Sequence, residues 1–188
     1  MKFFADPIVK KKYTMKKLSS VVAIVGLFLW TTVSAETFLS KDWVWNTDDE
    51  DFYFAATVNE EGHLLGQYCY FKSASCLYVV RIGINCKEGE QYPALINSDS
   101  GTYSVNLLCG GNFEQQNLLF VNNFDGIDNI IRSSARIGIA VPEQGDLLKV
   151  SRFSLAGSIS AIDSMRSAAT TRMKSKPQNR SLPADEGL

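Results

Sequence analysis

Two cysteines seven positions apart, Cys69 and Cys76, constrain this chain more than any other feature. They lie in the stretch GQYCYFKSASCLYVV, between two runs of strand-forming residues. If the turn centres between Lys72 and Ser73, the cysteines face each other across an antiparallel ladder, where opposed Cα atoms are about 4.5 to 5.5 Å apart. A disulfide can bridge that distance. We therefore predict a β-hairpin locked by a Cys69–Cys76 bond.

The first 35 residues have the layout of a secretory signal peptide. Residues 10–17 carry five lysines, residues 21–33 are apolar, and residues 33–35 read VSA, which suits a cleavage site. The apolar run is shorter than the about 20 residues of a membrane-spanning helix, which favours cleavage over an uncleaved anchor. We predict a mature chain that starts at Glu36, with Met15 as an alternative first residue of the precursor. The expected location is periplasmic or secreted, with membrane contact only through the signal segment before cleavage.

The remaining cysteines, Cys86 and Cys109, make the count even, which in an exported chain favours disulfides. Four cysteines allow three pairings, and the predicted hairpin leaves Cys86 to pair with Cys109. Zinc sites usually bring cysteines in close pairs or supply several histidines, whereas here the spacings are wide and His63 is the only histidine. The absence of a C-x-x-C motif argues against a thioredoxin-like redox site.

Charge is distributed unevenly along the chain. Removing 35 of 188 residues leaves 153, the usual length of one domain. Residues 36–165 hold 8 basic and 17 acidic residues, whereas residues 166–188 hold 5 basic and 2 acidic residues. An acidic body repels polyphosphate, so we expect no nucleic-acid binding. Acidity suits a cationic partner, although its commoner role is to keep a secreted protein soluble.

Short runs with period-two alternation recur along the predicted mature chain, separated by turn residues. Residues 52–58 are an example, because Phe52 and Phe54 alternate with Tyr53. Further strands are predicted at residues 42–46, 63–71, 76–84, 92–96, 102–109, 117–121, 136–142 and 147–155. The pattern predicts a mainly β domain over residues 36–169, an antiparallel β-sandwich or barrel-like sheet with one or two short helices.

Two segments have helical character. Asp125 is the predicted N-cap of a short helix that carries Ile127, Ile130 and Ile131, and residues 156–168 form the predicted terminal helix. From Thr170 the chain loses apolar residues and gains Lys, Arg, Pro and Asn. We predict a disordered basic tail over residues 170–188 that adds nothing to the fold.

Few residues have catalytic potential. His63 follows Glu60 and Glu61 in a turn and could act with one of them as a base, but a solvated turn histidine is the commoner case. The motifs of serine hydrolases, P-loop proteins and zinc proteases do not occur. We expect no catalytic residue.

Oxygen ligands are concentrated in residues 46–51 and 122–129. In the second segment Asn123, Asp125 and Asp128 surround Gly126, but the spacing and the distal glutamate of an EF-hand are missing. We expect no metal and no cofactor, with calcium at these loops as the alternative.

Aromatic residues are concentrated in the first two predicted strands. Trp43, Trp45 and Tyr53 are the candidate binding surface, with Phe52 and Phe54 beside them. Such rings can form a platform for a carbohydrate or a peptide. The commoner arrangement for such rings is that three of these five are core residues and two line the rim.

Residues 124–165 resemble the C-terminal part of the invasion-associated locus B family of exported bacterial proteins. The shared pattern is a short helix, a strand, a polar turn, a strand and then S-L-x-G-x-x-x-A, with Ser154, Leu155, Gly157 and Ala161 on that motif. Trp43 soon after the signal and a close cysteine pair in mid-chain also fit. The resemblance implies a periplasmic or surface β-sandwich without recognised enzymatic residues, linked in some relatives to host-cell entry. It carries no catalytic position.

These observations predict an exported, non-catalytic binding module with a protein partner. The alternative is an acidic periplasmic inhibitor or immunity-type protein that blocks a cationic enzyme. A third possibility, a disulfide-bonded hydrolase, requires a cleft where carboxylates or His63 converge.

Overall fold

The computed structural model describes residues 37–113, 116–143 and 147–175. The predicted signal peptide and the predicted start at Glu36 lie outside these residues. The described residues form the strands and helices β1 Thr37–Ser40, β2 Trp43–Asn46, β3 Phe52–Val58, β4 Leu64–Tyr70, β5 Ser75–Arg81, β6 Gln91–Ser98, β7 Gly101–Phe113, β8 Gln116–Val121, α1 Phe124–Ser133, β9 Arg136–Pro142, β10 Leu148–Ser154 and α2 Ser158–Ser175. Neither described helix is long and apolar enough to cross a membrane.

All described strands belong to one antiparallel sheet in the order β1-β2-β3-β4-β5-β8-β7-β6-β9-β10. The predicted mainly β antiparallel fold is therefore confirmed. The sheet is not closed into a barrel, because β1 and β10 stand at its two ends and the described residues form no ladder between them.

Two side chains cover the Ser154 end of the β10 edge in place of a neighbouring strand. The indole Nε1 of Trp43 donates to the carbonyl oxygen of Ser154 at 3.0 Å, and Nδ2 of Asn59 donates to that of Arg152 at 3.2 Å. These bonds bring the β2–β3 end of the curled sheet against β10. Carbonyl groups that a foreign strand could pair with are thus occupied.

The core lies between the inner face of the curled sheet and the two helices. Period-two alternation places Leu65, Val80 and Ile139 on the inner face, where each is fully buried. Helix α1 adds Ile127 and helix α2 adds Ile162, both buried at helical spacing within their own segments. The helices therefore define which face of the sheet is inside.

Both predicted disulfides are present. The β4–β5 register pairs Cys69 directly with Cys76, as the predicted turn centre requires, and their Cα atoms are 3.9 Å apart. Cys86 and Cys109 are joined with a Cα separation of 5.9 Å. Nδ2 of Asn117 donates to the carbonyl oxygen of Cys86 at 2.7 Å, so the long connection before β6 is held to β8 as well as to β7.

Removal of the Cys86–Cys109 bond should cost more stability than removal of the hairpin bond. The first joins residues 23 positions apart and the second residues 7 apart, and loop-closure entropy grows with loop length. We expect Cys86→Ala/Cys109→Ala to lose about 3 to 4 kcal/mol and Cys69→Ala/Cys76→Ala about 2 to 3 kcal/mol. Urea unfolding of the two double variants measures both losses. The reverse order would contradict an entropic origin.

Helix α1 has a different N-cap from the predicted one. Asn123 is the cap, and its Oδ1 accepts from the backbone N–H of Gly126 at 2.9 Å. Asp125 lies in the first turn, where its negative charge is attracted to the positive end of the helix dipole. The prediction of Asp125 as the cap is wrong. The helix begins at Phe124, so the capping position is Asn123, whose side chain accepts from the free N–H of Gly126.

Helix α2 includes the first six residues of the predicted tail. It ends at Ser175, so the boundary at Thr170 is wrong, and the remaining tail, residues 176–188, lies outside the described residues. Arg172 holds the last turns: its guanidinium lies 4.7 Å from the ring centre of Phe71 and donates to Oη of Tyr53 at 3.0 Å. Met173 packs against the core beside it. An arginine that stacks on aromatic rings replaces the apolar residues that this segment lacks.

Truncation after Ala169 should therefore destabilise the protein, whereas truncation after Ser175 should not. Loss of the Arg172 contacts is expected to cost about 1 to 3 kcal/mol. Arg172→Gln in the full chain should reproduce most of the loss. Thermal unfolding of the oxidised protein compares the three forms. Equal midpoints for both truncations would show that the last turns of α2 add nothing.

Candidate functional site

The structure places two of the three predicted binding residues in the core. Trp43 is 0% exposed and Tyr53 is 8% exposed, and each uses its polar atom inside the protein. Trp45 is half-buried on the same inner face and stacks on Phe38 with ring centres 4.2 Å apart. The predicted surface of Trp43, Trp45 and Tyr53 therefore does not exist as a platform.

A different set of rings forms a continuous surface on the outer side of β3 and β4. Phe52 is directly opposite Tyr70, and Phe54 is directly opposite Tyr68. Ring centres are 5.7 Å apart in the first pair and 5.4 Å apart in the second, which is nearly parallel at 20°. All four are half-buried. We call these four residues the aromatic face.

The aromatic face is held in place by the disulfide on the other side of β4. Cys69 lies between Tyr68 and Tyr70 in sequence and points inward to Cys76, which fixes the register of the hairpin. Burial raises the pKa of Tyr70, so its phenol stays a neutral hydrogen-bond donor in the physiological range. Tyr68 and Tyr70 were missed because the prediction considered single strands. Pairing residues 52–58 with the hairpin would have revealed them.

An acidic loop, residues 47–51, borders the aromatic face between β2 and β3. Oδ1 of Asp49 accepts from the backbone N–H groups of Asp51 and Phe52 at 2.8 and 3.1 Å. These bonds order the loop and leave the side chains of Asp48, Glu50 and Asp51 exposed. The result is an ordered cluster of negative charge at one edge of the rings.

His63 lies at the seam between the β3–β4 turn and β10. Its Nδ1 is 2.8 Å from Oγ of Ser151 and 2.9 Å from Oε2 of Glu61. Both contacts share one ring nitrogen, whereas a serine–histidine–acid relay uses the two nitrogens separately. Ser151 is also completely buried. The cluster therefore ties β10 to the turn and lacks the geometry of a nucleophile.

Residues 122–129 form a helix start instead of a cation loop. The Asn123 side chain caps α1, and Asp128 turns toward the sheet, where Oη of Tyr78 donates to its Oδ1 at 2.6 Å. Arg166 donates to the same oxygen, and Nε of Arg132 donates to Oδ2 at 2.9 Å. Among the described residues no cluster of three or more His, Cys, Asp or Glu side chains has the arrangement of a metal site.

Asp128 is the centre of an ionic cluster that joins α1, α2 and β5. Burial raises its pKa, but hydrogen bonds from Tyr78, Arg166 and Arg132 outweigh burial and hold the pKa of the carboxyl below its usual range. Burial and the neighbouring carboxylate raise the pKa of Tyr78 far above its ordinary value. Hydrogen bonds to Asp163 and Asp128 likewise raise the pKa of Arg132. At neutral pH the cluster therefore consists of an ionised Asp128 between the two charged arginines and a neutral Tyr78 phenol.

Comparison with known proteins gives a likeness of fold. No family model and no curated protein matches the chain. The solved structure of invasion associated protein B from Bartonella henselae is similar, with 12% identity, a TM-score of 0.54, and coverage of 72% of this chain and 99% of that chain. At this identity the match shows a shared fold alone. The predicted resemblance is thereby supported at the level of architecture.

Proposed function

We propose that this protein is an exported, non-catalytic interaction module that binds a protein partner through the aromatic face. The observation that carries the proposal is the set of four paired rings on the outer side of β3 and β4. Aromatic residues are enriched at protein interfaces and supply large contact areas with few rotatable bonds. The disulfide behind the rings keeps them in place before binding, which lowers the entropy cost of association.

Two further observations support the proposal. Paired cysteines are typical of oxidising compartments such as the periplasm or the extracellular space. The protein of similar fold is named for an association with invasion, which makes a host-cell partner one candidate for this chain.

Affinity capture on the oxidised protein, followed by titration with the captured partner, tests this function. Phe54→Ala/Tyr68→Ala should weaken binding at least about 30-fold, the effect of losing an interface hot spot of about 2 kcal/mol. Tyr103→Ala is the matched control, because Tyr103 is an exposed aromatic residue on β7, outside the aromatic face. Equal affinities of the two variants, with unchanged thermal midpoints, would remove the aromatic face from the interface.

The second candidate is an inhibitor of a cationic enzyme, and the observation that favours it is the acidic loop beside the rings. In that case the captured partner is a basic enzyme that loses activity when bound. Glu50→Gln/Asp51→Asn should slow association and reduce its salt dependence. Glu88→Gln/Glu143→Gln removes the same charge from exposed positions elsewhere. A partner that keeps full activity in the complex would exclude inhibition and leave the interaction module.

A further inference from the structure

A trough runs along the outer face of β6, β9 and β10, away from the aromatic face. Its floor is Gly138 and Ala140 of β9, and its apolar walls are Leu95 of β6 and Leu148 and Val150 of β10. The volume at the Arg136 end is about 650 Å³, and a contiguous segment toward Pro142 adds a volume of about 400 Å³. Both values fall in the usual range of small-molecule sites.

The floor is open because Gly138 has no side chain. A Cβ at this position would be 3.7 Å from the carbonyl oxygen of Asn97 and 4.0 Å from Cγ of Arg152, which are ordinary van der Waals distances. Gly138 is not among the glycines with positive φ. Neither space nor backbone conformation therefore requires glycine here, and its effect is to keep the trough empty.

Two arginines stand at one end of the trough. Arg136 and Arg152 are diagonal neighbours on the outer face of β9 and β10, and both are exposed. Neither forms an ion pair with any residue in the described ranges. Diagonal neighbours on one sheet face are within reach of each other's long side chains, and residues 36–165 offer 17 acidic side chains against 8 basic ones. Two neighbouring arginines without an ion pair among the described residues are suited to bind an anion.

One carboxylate, that of Asp99, lines the same end of the trough. Oδ2 of Asp99 accepts from the backbone N–H groups of Ala135 and Arg136 at 2.8 and 3.3 Å. Two guanidinium groups and one carboxylate therefore leave this end of the trough with a net positive charge from these three side chains.

We propose that the trough binds a free long-chain fatty acid. The carboxylate lies between the guanidinium groups of Arg136 and Arg152, which suit planar bidentate recognition of a carboxylate. The acyl chain lies over Gly138 and Ala140 and points toward Pro142. Six residue steps separate Arg136 from Pro142, a span of about 20 Å, which accommodates an extended long acyl chain.

An acyl chain fits the walls better than an extended acidic peptide does. The backbone groups of β9 are paired with β6 on one side and with β10 on the other. A peptide on this face would lose water from its own N–H and C=O groups without gaining partners, whereas an acyl chain has no such groups. The two arginines at one end can bind an anionic head group, and the apolar walls toward the other end can contact an acyl chain.

Fluorescence titration of the full oxidised chain with dansyl-labelled undecanoic acid tests the proposal. We expect saturable binding that palmitate displaces and that methyl palmitate, which has no charge, displaces at least about tenfold less effectively. Arg136→Gln/Arg152→Gln should weaken binding by at least about tenfold. Gly138→Leu should abolish it while leaving the thermal midpoint within error. Lys72→Gln/Lys174→Gln is the charge-matched control from exposed positions elsewhere and should bind like the wild type.

Four results would overturn the proposal. The first is equal binding by the arginine and lysine double variants, and the second is equal displacement by the acid and its methyl ester. The third is association only with phosphatidylglycerol vesicles and none with monomeric fatty acid, which would assign the arginines to a membrane surface. The fourth is binding retained by Gly138→Leu with an unchanged midpoint, which would place the ligand outside the trough.

Discussion

The variant Gly157→Ala should lose about 3 to 5 kcal/mol of the free energy of unfolding, a large share of the 5 to 15 kcal/mol typical of a domain. A Cβ at Gly157 would lie 1.9 Å from the carbonyl oxygen and 2.6 Å from the carbonyl carbon of Ser40. Both are backbone atoms, so no side-chain rotation relieves the overlap. Gly157 also has φ +88°, a conformation that alanine adopts only with strain.

The overlap would displace a junction that several contacts build. Oγ of Ser40 donates to the carbonyl oxygen of Gly157 at 3.1 Å, and the backbone N–H of Asp42 donates to that of Ala156 at 3.2 Å. The next residue, Trp43, is fully buried in the core. Moving Ser40 therefore moves β2 and the indole with it. This contact explains why glycine occupies its place in the S-L-x-G-x-x-x-A pattern.

Gly89→Ala separates backbone strain from overlap. Gly89 has φ +83°, nearly that of Gly157, but a Cβ there would meet nothing within 4 Å. We expect it to lose only about 1 to 2 kcal/mol. Urea unfolding of both variants gives the comparison. Equal losses in the two variants would show that overlap between the new Cβ at position 157 and the Ser40 backbone adds nothing to the cost.

The second large effect is expected at Asp128. Asp128→Ala should cost about 3 to 5 kcal/mol, because it leaves Arg166 and Arg132 without their shared carboxylate, whose side chain is only 16% exposed. It also removes the acceptor of the Tyr78 hydroxyl, whose ring is completely buried. Asp163→Ala is the control, since Asp163 binds Arg132 from a side chain that is 53% exposed, and should cost less than about 1 kcal/mol. Similar losses in both variants, measured by urea unfolding, would contradict a central role for Asp128.

The same carboxylate predicts how stability depends on pH. Because the folded pKa of Asp128 is lowered, its ionised form stabilises the fold at all pH values above the ordinary aspartate pKa of about 3.9. That contribution is lost as the pH falls through the lowered folded pKa. The difference in unfolding free energy between wild type and Asp128→Asn should be constant near neutral pH and shrink below about pH 4. A difference that persists undiminished at pH 2 would contradict the ion-pair account.

Local features of this fold could be predicted from the sequence by itself. The short distance between Cys69 and Cys76, with a turn between Lys72 and Ser73, sets one hairpin register, and the remaining cysteines then have one pairing. Period-two runs located most of the strands because side-chain alternation is a property of each strand alone. Strand β1 and the last turns of α2 were missed, since their stability comes from contacts with β2 and with the rings of Tyr53 and Phe71.

Only the tertiary structure decided which face of each strand is inside. In β3 both alternating sets are largely apolar, with Phe52 and Phe54 on one side and Tyr53 and Ala55 on the other. Periodicity cannot predict which of two apolar faces is buried. The helices determine this, because they cover one face of the sheet. For that reason the sequence could not decide whether Trp43 and Tyr53 form a binding surface or belong to the core, where the structure places them, and the aromatic face needed the pairing of β3 with β4. The trough likewise requires β6 to lie beside β9, and because β7, β8 and α1 separate these two strands in sequence, no local pattern identifies it.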